Sequence, residues 1–426
     1  MQVLTSGTVK GSSLISEMEN RGSMHRPSLD TAVRKIIQQV RTHGDSALFH
    51  YAMKWDGFKP GQRLLVSEAE MQSAWDLVSL SAPGFCKALR TAAVNIRKYC
   101  AWQKPKAWER ELRPGVRVGQ VIRPLESVGC YVPGGLYPLP STLLMTVIPA
   151  QVAGVPNIAV ASPKPALEVL AAASMLGVKT FYRLGGAQAI AAFAYGTETV
   201  SRVRKIVGPG NAYVTAAKRL VFRNGTCSID MVAGPTEILI VSERGNPAFI
   251  AADLVAQAEH DSDARSIFLT SSAALAKNVL AEVRRQAKKN AIAELSLRKN
   301  GLIIIARSHR QAVDIANRIA AEHITIERED VARISAAGSI FVGDYSAQSL
   351  GDYASGPNHV LPTDGSAHFR GGLSVSDFVK SISIQEVSLQ GLRSLVPAVT
   401  LLAEAEGLRA HAASVRMRAE TRAANA

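Results

Sequence analysis

From about residue 124 to residue 342, short β-rich apolar runs alternate with alanine-rich segments of helical spacing. The predicted strands lie at 158–161, 180–184, 205–207, 238–241, 266–270, 302–305 and 339–342. The predicted helices between them lie at 165–176, 188–195, 247–259, 273–290 and 310–321. This alternation is typical of parallel sheets with helices on both faces. Because it falls into two blocks, we predict an α/β fold of two doubly wound, Rossmann-like units, with small helical segments at both ends.

The length of 426 residues exceeds one ordinary core and fits two or three domains of about 150 residues each. Helical spacing extends over 29–55 and 67–104, with breaks at 43–45 and 81–84, and the tail at 384–418 also reads as helix. We predict an N-terminal segment at 1–28 and a first α/β domain built from 29–130 and 240–372. A second α/β domain is predicted at 131–239 and a C-terminal helical domain at 373–426.

Composition excludes several classes of protein. Four cysteines without C-x-x-C spacing argue against a disulfide scaffold or a cysteine zinc site, and favour the reducing cytoplasm. The N-terminus lacks the pattern of a secretory signal, and no apolar run approaches the roughly 18 residues of a membrane span. A net charge of +14 permits nucleic-acid binding, but the basic residues are dispersed. We therefore do not expect nucleic acid as the main partner.

Three glycine turns follow predicted strands, at 131–135, 185–188 and 208–210. The turn at 208–210 is only a weak phosphate-loop signal, because Ala212 and Tyr213 stand where the dinucleotide fingerprint needs a third glycine. An ordinary tight turn explains it equally well. Three such turns in one α/β unit nevertheless indicate a ligand that crosses the carboxyl edge of its sheet.

Four short polar segments carry side chains that can bind a metal ion or exchange protons. They contain Gln257 with His260, Glu322 with His323, Asp352 with His359, and Glu406 with His411. A lone Gln/His pair is usually an ordinary helix end, but the combined set of nitrogen and oxygen donors suits Zn²⁺. The adjacent Glu322 and His323 suit general acid–base work. The other histidines are expected to be solvated or structural: His25, His43, His50, His309 and His368.

The sequence motifs together resemble those of the histidinol dehydrogenase family, and they follow in unbroken order from about residue 30 to residue 418. The matching strings are YVPGG at 131, PLPST at 138, VGPGNAYV at 207, AGPTEI at 233, LVAQAEHD at 254, AEHITI at 321, AGSIFVGDYS at 337, GDYASGPNHVLPT at 351, GLSVSDF at 372 and AEGLRAH at 405.

The resemblance implies a cytoplasmic homodimer that oxidises L-histidinol to L-histidine in two NAD-linked steps through a bound aldehyde, which ends histidine biosynthesis. It implies Glu322 and His323 as the catalytic pair. The implied Zn²⁺ ligands are Gln257, His260, Asp352 and His411. The implied substrate contacts add Ser141, Thr236, His323, His359 and Glu406, and the implied NAD contacts are Tyr131, Gln188 and Asn211 in the second α/β domain. Glu406 and His411 would complete the partner subunit's site.

Some positions depart from the family pattern. Thr236 stands where many members have serine, which keeps the hydroxyl, and Pro357 stands where threonine is frequent. Cys130 invites the role of nucleophile for an aldehyde, but no base is paired with it in the sequence, and we reject that role.

Two alternatives remain open. One is a paralogue that oxidises another small polar alcohol, such as a sulfopropanediol dehydrogenase, which shares features at Tyr137 and Thr236. The genomic neighbourhood, with histidine genes or sulfonate genes, discriminates the two. The other alternative is a catalytically inactive metal- or nucleic-acid-binding protein, against which the intact Glu322 and His323 argue.

Overall fold

The structure is a computed structural model that describes residues 1–22, 27–134 and 138–420. The chain divides into two compact units. Unit 1 comprises Met1–Gln103 and Leu125–Phe378, and unit 2 comprises Lys104–Pro124 and Val379–Ala426. In the described ranges, no helix is both long and apolar enough to cross a membrane. His25 and Tyr137, which carry expectations from the sequence, lie outside these ranges.

Sheet A of unit 1 has six parallel strands in the order β1-β12-β11-β10-β13-β14. Their bounds are β1 Gln2–Thr5, β10 Glu237–Val241, β11 Arg265–Thr270, β12 Gly301–Ile305, β13 His323–Ile326 and β14 Ser339–Val342. From β10 the chain winds outward through β11 and β12, then returns to add β13 and β14 on the other side. The topological switch point therefore lies between β10 and β13.

Sheet B of unit 1 has six strands in the order β2-β7-β6-β5-β8-β9, parallel except for the antiparallel edge strand β2. Their bounds are β2 Leu65–Val66, β5 Ser127–Tyr131, β6 Asn157–Ala161, β7 Thr180–Tyr182, β8 Lys205–Val207 and β9 Ser228–Ile229. The same winding rule puts its switch point between β5 and β8. The predicted α/β class with two doubly wound units is confirmed.

Helices cover both faces of each sheet. Those around sheet B are α2 Pro27–Trp55, α3 Glu68–Ser81, α4 Pro83–Gln103, α5 Pro140–Ala153, α6 Leu167–Met175, α7 Gly186–Tyr195 and α8 Ala212–Arg223. Those around sheet A are α1 Val9–Glu19, α9 Pro247–Ala258, α10 Ala273–Ala287, α11 Ala291–Asn300 and α12 His309–Ile319. A short helix, α13 Gln348–Tyr353, follows β14. The apolar side chains between sheets and helices form the cores of the unit.

Two predicted helix breaks are confirmed. Gly44 interrupts α2 with φ 51° and ψ −131°. These angles are not helical, and glycine adopts them more readily than other residues because it has no Cβ. Pro83 begins α4 directly after α3, at a position where its missing N–H costs no helical hydrogen bond.

Unit 2 is built on an antiparallel sheet in the order β15-β4-β3. Its bounds are β3 Trp108–Arg113, β4 Val116–Pro124 and β15 Val379–Val387, followed by α14 Leu389–Ala405 and α15 Arg409–Glu420. The predicted helical tail is thus correct for α14 and α15. It is wrong at its start, because 384–387 belong to β15.

The predicted domain division differs from the structure in several places. Residues 104–124, predicted in the first α/β domain, belong to unit 2. The N-terminal segment is not separate, because β1 pairs in register with β12 at the edge of sheet A. Residues 29–103 pack on sheet B rather than on sheet A, since apolar residues of α2 share a core with α7 and α8. Helical periodicity marks the buried face of α2, but it does not say which sheet that face covers.

A short segment links the two sheets. Residues 230–236 run from the carboxyl end of β9 in sheet B to the amino end of β10 in sheet A. Unit 1 therefore presents the carboxyl edge of one sheet and the amino edge of the other along one continuous segment.

Candidate active site

The sequence-predicted acid–base pair lies at the amino edge of sheet A. Thr236 directly precedes β10, and Glu322 directly precedes the neighbouring strand β13. The parallel register pairs Ile238 with His323, so both strand starts meet at the same place. Ala320 ends α12 in the left-handed conformation, with φ 50°, and turns the chain into this edge. The starts of two adjacent strands thereby bring together Thr236 and Glu322, which are 86 positions apart in the chain.

Glu322 is held by hydrogen bonds inside the protein. Its Oε2 accepts from the hydroxyl of Thr236 at 2.5 Å and from the backbone N–H of Glu237 at 2.9 Å. Among the described residues, no donor is paired with Oε1. Burial raises the pKa of Glu322 to about 7, although His323 and the two donors act in the opposite direction. A carboxyl group that titrates near neutral pH is suited to exchange protons with water.

His323 lies beside Glu322 between two acceptors. Its Nδ1 donates to the carbonyl of Glu237 at 3.4 Å, and its Nε2 is 3.5 Å from Oδ1 of Asp352. Burial lowers the pKa of His323, but the carboxylates of Glu322 and Asp352 outweigh burial and raise it above the ordinary value. In the neutral ring, the Nδ1–H bond leaves Nε2 as the basic nitrogen.

The segment after β14 brings Asp352 and His359 to the same site. Asp352 lies in α13, and its backbone carbonyl accepts from Nδ1 of His359 at 2.8 Å. Nε2 of His359 then accepts from the hydroxyl of Thr142 at 3.2 Å. Burial lowers the pKa of His359, which agrees with a neutral ring that donates at one nitrogen and accepts at the other. Ser141, the predicted contact, is the neighbour of Thr142 in the first turn of α5.

Gln257 connects to the acid–base pair through Thr236. Its side chain on α9 is fully buried, its Nε2 donates to the hydroxyl of Thr236 at 2.6 Å, and its Oε1 accepts from Nε2 of Gln348. The hydroxyl of Thr236 donates in turn to Glu322. Thr236 therefore performs the bridging role that a serine hydroxyl performs equally well.

Three of the four predicted metal ligands lie in unit 1. Gln257 lies in the last turn of α9, and His260 is exposed three residues further on. Burial raises the pKa of Asp352, but the imidazoles of His323, His359 and His260 outweigh burial and lower it. An amide oxygen, an imidazole and a carboxylate are donors that suit Zn²⁺. In the described part of the chain, no group of three or more His, Cys, Asp or Glu side chains is close enough to hold a metal. The three predicted ligands of unit 1 are therefore suitable donors by type, but the described residues do not gather them into a metal site.

Glu406 and His411, the remaining predicted site residues, belong to unit 2. Glu406 caps the end of α14, and His411 lies in the first turn of α15. Both side chains are exposed.

A cavity of about 510 Å³ lies at the carboxyl edge of sheet B. Tyr131, Gln188 and Asn211, the predicted NAD contacts, all line it. Tyr131 ends β5, and its hydroxyl accepts from the N–H of Gly186 at 3.1 Å. Asn211 caps α8 by accepting from the backbone N–H groups of residues 213 and 214. The sheet edge at which the sequence predicts a ligand thus carries a cavity, and a second pocket, of about 20 Å³, lies at the carboxyl edge of sheet A.

The glycine turn at 208–210 has a specific support. Gly208 has φ 112°, and a Cβ there would stand 2.1 Å from the carbonyl oxygen of Tyr131. Its N–H donates to Asp230 at 2.7 Å and its carbonyl accepts from Nζ of Lys218 at 2.9 Å. Lys218 and Asp230 form a buried ion pair. The turn is thus held at both its amide and its carbonyl beside a cavity residue.

Cys130 does not serve as a nucleophile. Its thiol is completely buried in β5, and burial raises its pKa to about 12. A thiolate is the reactive form of cysteine, so this thiol is inert at neutral pH. The structure agrees with the rejection that the sequence suggested.

The sequence analysis missed four groups in these sites. Thr142 contacts His359, Gln348 contacts Gln257, Glu237 bonds to Glu322 and His323 through its backbone, and Asp56 lines the cavity. Thr142 is the last residue of the PLPST motif, and Gln348 lies in the segment before GDYASG. Their closeness to these motifs in the sequence could have identified them as site residues. For Asp56, 132 positions from Gln188, there was no such signal.

A buried acid–base pair and a ligand-sized cavity, carried by two doubly wound sheets, are the arrangement of an α/β enzyme that acts on a small molecule. Comparison with known proteins specifies the family. The sequence profile of histidinol dehydrogenase matches residues 19–419. Histidinol dehydrogenase of Methanothermobacter thermautotrophicus is 45% identical over 419 residues, which covers 95% of this chain and 96% of that protein. Histidinol dehydrogenase of Brucella suis is 47% identical over 405 residues, covering 92% and 93%.

Among solved structures, the crystal structure of histidinol dehydrogenase from Elizabethkingia anophelis superimposes with a TM-score of 0.92 at 36% identity and covers 98% of both chains. The chain belongs to the histidinol dehydrogenase family, and it is an NAD-dependent oxidoreductase.

Proposed function

We propose that the protein oxidises L-histidinol to L-histidine in two NAD-linked steps through bound L-histidinal, as the last step of histidine biosynthesis in the cytoplasm. The observation that carries this proposal is the buried pair of Glu322 and His323, which places two proton acceptors with different hydrogen-bond partners side by side. Family membership supports the choice of substrate.

In the first oxidation, His323 accepts the hydroxyl proton of the alcohol while hydride leaves the same carbon for NAD. The products are an aldehyde, NADH and one proton. Nε2 is the nitrogen for this step, because Nδ1–H is directed to the carbonyl of Glu237. General-base assistance of this kind contributes about 10²–10⁴-fold to a rate.

In the second oxidation, Glu322 takes a proton from water as the water adds to the aldehyde carbon. This gives the hydrate anion. His323, after releasing its first proton, then accepts the remaining hydroxyl proton of that anion while the second hydride leaves for NAD, which yields the carboxylate and a second NADH. Glu322 suits this role because Oε2 is fixed by Thr236 and Glu237, and because its pKa near 7 allows it to take and release a proton at neutral pH.

Gln257, His260 and Asp352, with His411, are the residues that would hold Zn²⁺. When bound, the ion supplies a fixed positive charge that orients the imidazole and amine of the substrate. We assign substrate contacts to Ser141, Thr236, His359 and Glu406 in addition. Of these, Thr236 and His359 already bond to residues of the acid–base site.

We assign NAD to the cavity lined by Tyr131, Gln188 and Asn211. The support is its position at the carboxyl edge of a doubly wound sheet, where such folds bind ligands. A volume of about 510 Å³ is within the range of small-molecule sites.

We further propose a homodimer in which Glu406 and His411 of each chain serve the partner's active site. Two features of unit 2 favour a partner surface. Both residues are exposed, and so are large apolar side chains of the same unit: Trp108, Leu112, Ile382, Leu401 and Leu402. A contiguous patch of such exposed apolar side chains is the kind of surface that a partner subunit covers.

The test measures NADH formed per L-histidinol consumed, with and without a chelator. The expected result is two NADH per substrate, loss of turnover when the metal is stripped, and recovery with Zn²⁺. One NADH per substrate would contradict the two-step proposal, and unchanged turnover after stripping would contradict the metal. Greater turnover of another small polar alcohol would contradict the assigned substrate.

A further inference from the structure

Asp56 is a carboxylate in the wall of the cavity with no role in the proposed chemistry. It follows the last residue of α2, and 9% of its surface is exposed. Its Oδ2 accepts from the N–H of Gly185 at 3.0 Å and from Nε2 of Gln188 at 3.2 Å. Burial raises its pKa, while these donors and Lys164 lower it. The hydrogen bonds hold the carboxylate in one place at the cavity wall.

The lining of the cavity indicates which half of NAD it receives. It contains aromatic side chains, Trp55, Tyr131 and Tyr213, but none of the residues of the acid–base site. The nicotinamide ring must reach that site to accept hydride from a substrate held there. The cavity therefore suits the other end of the dinucleotide, the adenosine half, with its flat base and its ribose diol.

We propose that Asp56 binds the ribose hydroxyls of the adenosine half and thereby makes the enzyme select NAD over NADP. This inference rests on the proposed NAD site. A carboxylate accepts hydrogen bonds from a ribose diol, whereas it repels the phosphate that NADP carries on the same ribose. The selection combines an attraction for the correct ligand with a repulsion of the wrong one.

Lys164 is a cation close to Asp56 in this cavity, and the two side chains interact electrostatically. The lysine side chain lies against Gly57, the residue after Asp56. A Cβ on Gly57 would stand 2.6 Å from Cε and 3.2 Å from Nζ of Lys164. Lys164 also has a positive φ of 44°, which is uncommon for a non-glycine residue. While Asp56 is charged, it offsets the lysine. Without that charge, the ammonium becomes available to a 2′-phosphate.

The local structure can tolerate loss of the charge. In Asp56→Asn, the remaining side-chain oxygen can still accept from Gly185. Gln188 can rotate its amide, because its buried Oε1 has no hydrogen-bond partner among the described residues and could accept from the new NH₂ group. Asp56→Ser is a second variant that removes the charge and keeps an acceptor.

The experiment measures the dissociation constants of ADP-ribose and 2′-phospho-ADP-ribose, and kcat/KM with NAD and NADP. The variants are Asp56→Asn, Asp56→Ser, Lys164→Met and the double variant Asp56→Asn/Lys164→Met. Lys179→Met, an exposed lysine at the amino edge of β7, is the matched control. Melting temperatures identify any variant that does not fold.

We expect Asp56→Asn to raise the preference for the 2′-phosphorylated ligand by about 10- to 100-fold. The double variant should lose most of that gain. Equal weakening of both ligands, or no change in their ratio, would overturn the proposal and leave Asp56 as a support for Gln188. A gain that persists in the double variant would overturn the role of Lys164 alone. Because ADP-ribose binding needs no turnover, failure of the proposed histidinol oxidation would appear separately, as absence of NADH formation by the unmodified enzyme.

Discussion

Glu322 and His323 are neighbours in the chain, but their side chains have different surroundings. Glu322 is fixed by a hydroxyl and a backbone amide, whereas His323 lies between a carbonyl and a carboxylate. Only the second oxidation needs an activated water. We therefore predict that Glu322→Gln leaves oxidation of L-histidinol nearly unchanged and slows oxidation of L-histidinal by about 10²–10⁴-fold. Stopped-flow measurement of NADH with each substrate checks this.

His323→Asn is the companion variant. It should slow both halves alike, because the same imidazole accepts a proton in each. If Glu322→Gln slowed the oxidation of L-histidinol and of L-histidinal equally, Glu322 would not be the residue that activates water.

The second residue-scale prediction concerns pH. Burial raises the pKa of Glu322 from 4.5 to about 7, and only its ionised form can take a proton from water. The rate of L-histidinal oxidation, relative to that of L-histidinol, should therefore fall as the pH drops below about 7. In Glu322→Gln this difference between the two pH profiles should vanish. A difference that begins only near pH 4.5 would show that burial does not set the pKa of this group.

At the scale of elements, the junction of β8 and α8 depends on a buried ion pair. Lys218 and Asp230 hold the carbonyl and the amide of Gly208, which positions the turn before Asn211. Removal of one partner leaves the other charge buried and unpaired. We predict that Lys218→Met lowers the free energy of unfolding by about 3–5 kcal/mol. It should also raise the KM for NAD more than the KM for L-histidinol.

Urea unfolding and steady-state kinetics measure the two effects. The exposed pair of Lys179 and Glu68 is the matched control, where Lys179→Met should cost about 0–1 kcal/mol because water screens the charges. Similar losses in the two variants would mean that burial of the Lys218 pair has no special consequence for stability.

At the scale of the whole molecule, the proposed shared sites predict complementation between inactive chains. His323→Asn and His411→Asn are each expected to inactivate the homodimer. If His411 serves the partner, a mixed dimer has one site with both defects and one with none. Random reassociation makes half the dimers mixed, so activity should recover to about one quarter of the unmodified enzyme.

The chains are mixed after gentle unfolding and refolded together, with unmodified enzyme refolded in parallel as the control. If each site were built from one chain, every site would retain a defect, and the mixture would remain inactive while the control recovers.

The sequence by itself determined those features that depend on local pattern. Apolar runs and helical spacing predicted most strands of both parallel sheets, and the breaks at Gly44 and Pro83 lie where predicted. The motifs that carry the predicted site residues could be recognised because the residues of each motif are close in the chain. Both signals arise within a few residues, where backbone geometry and side-chain periodicity act directly.

Only the tertiary structure decided the rest. β3 and β15 are exposed along most of their length in this chain, so no alternation of buried and exposed residues marks them. The packing of α2 on sheet B, the bond from Asp56 to Gln188 and the bond from Gln348 to Gln257 join distant parts of the chain. Such contacts depend on the order and register of strands. A local pattern shows that a face is buried, but the folded chain alone determines what lies against it.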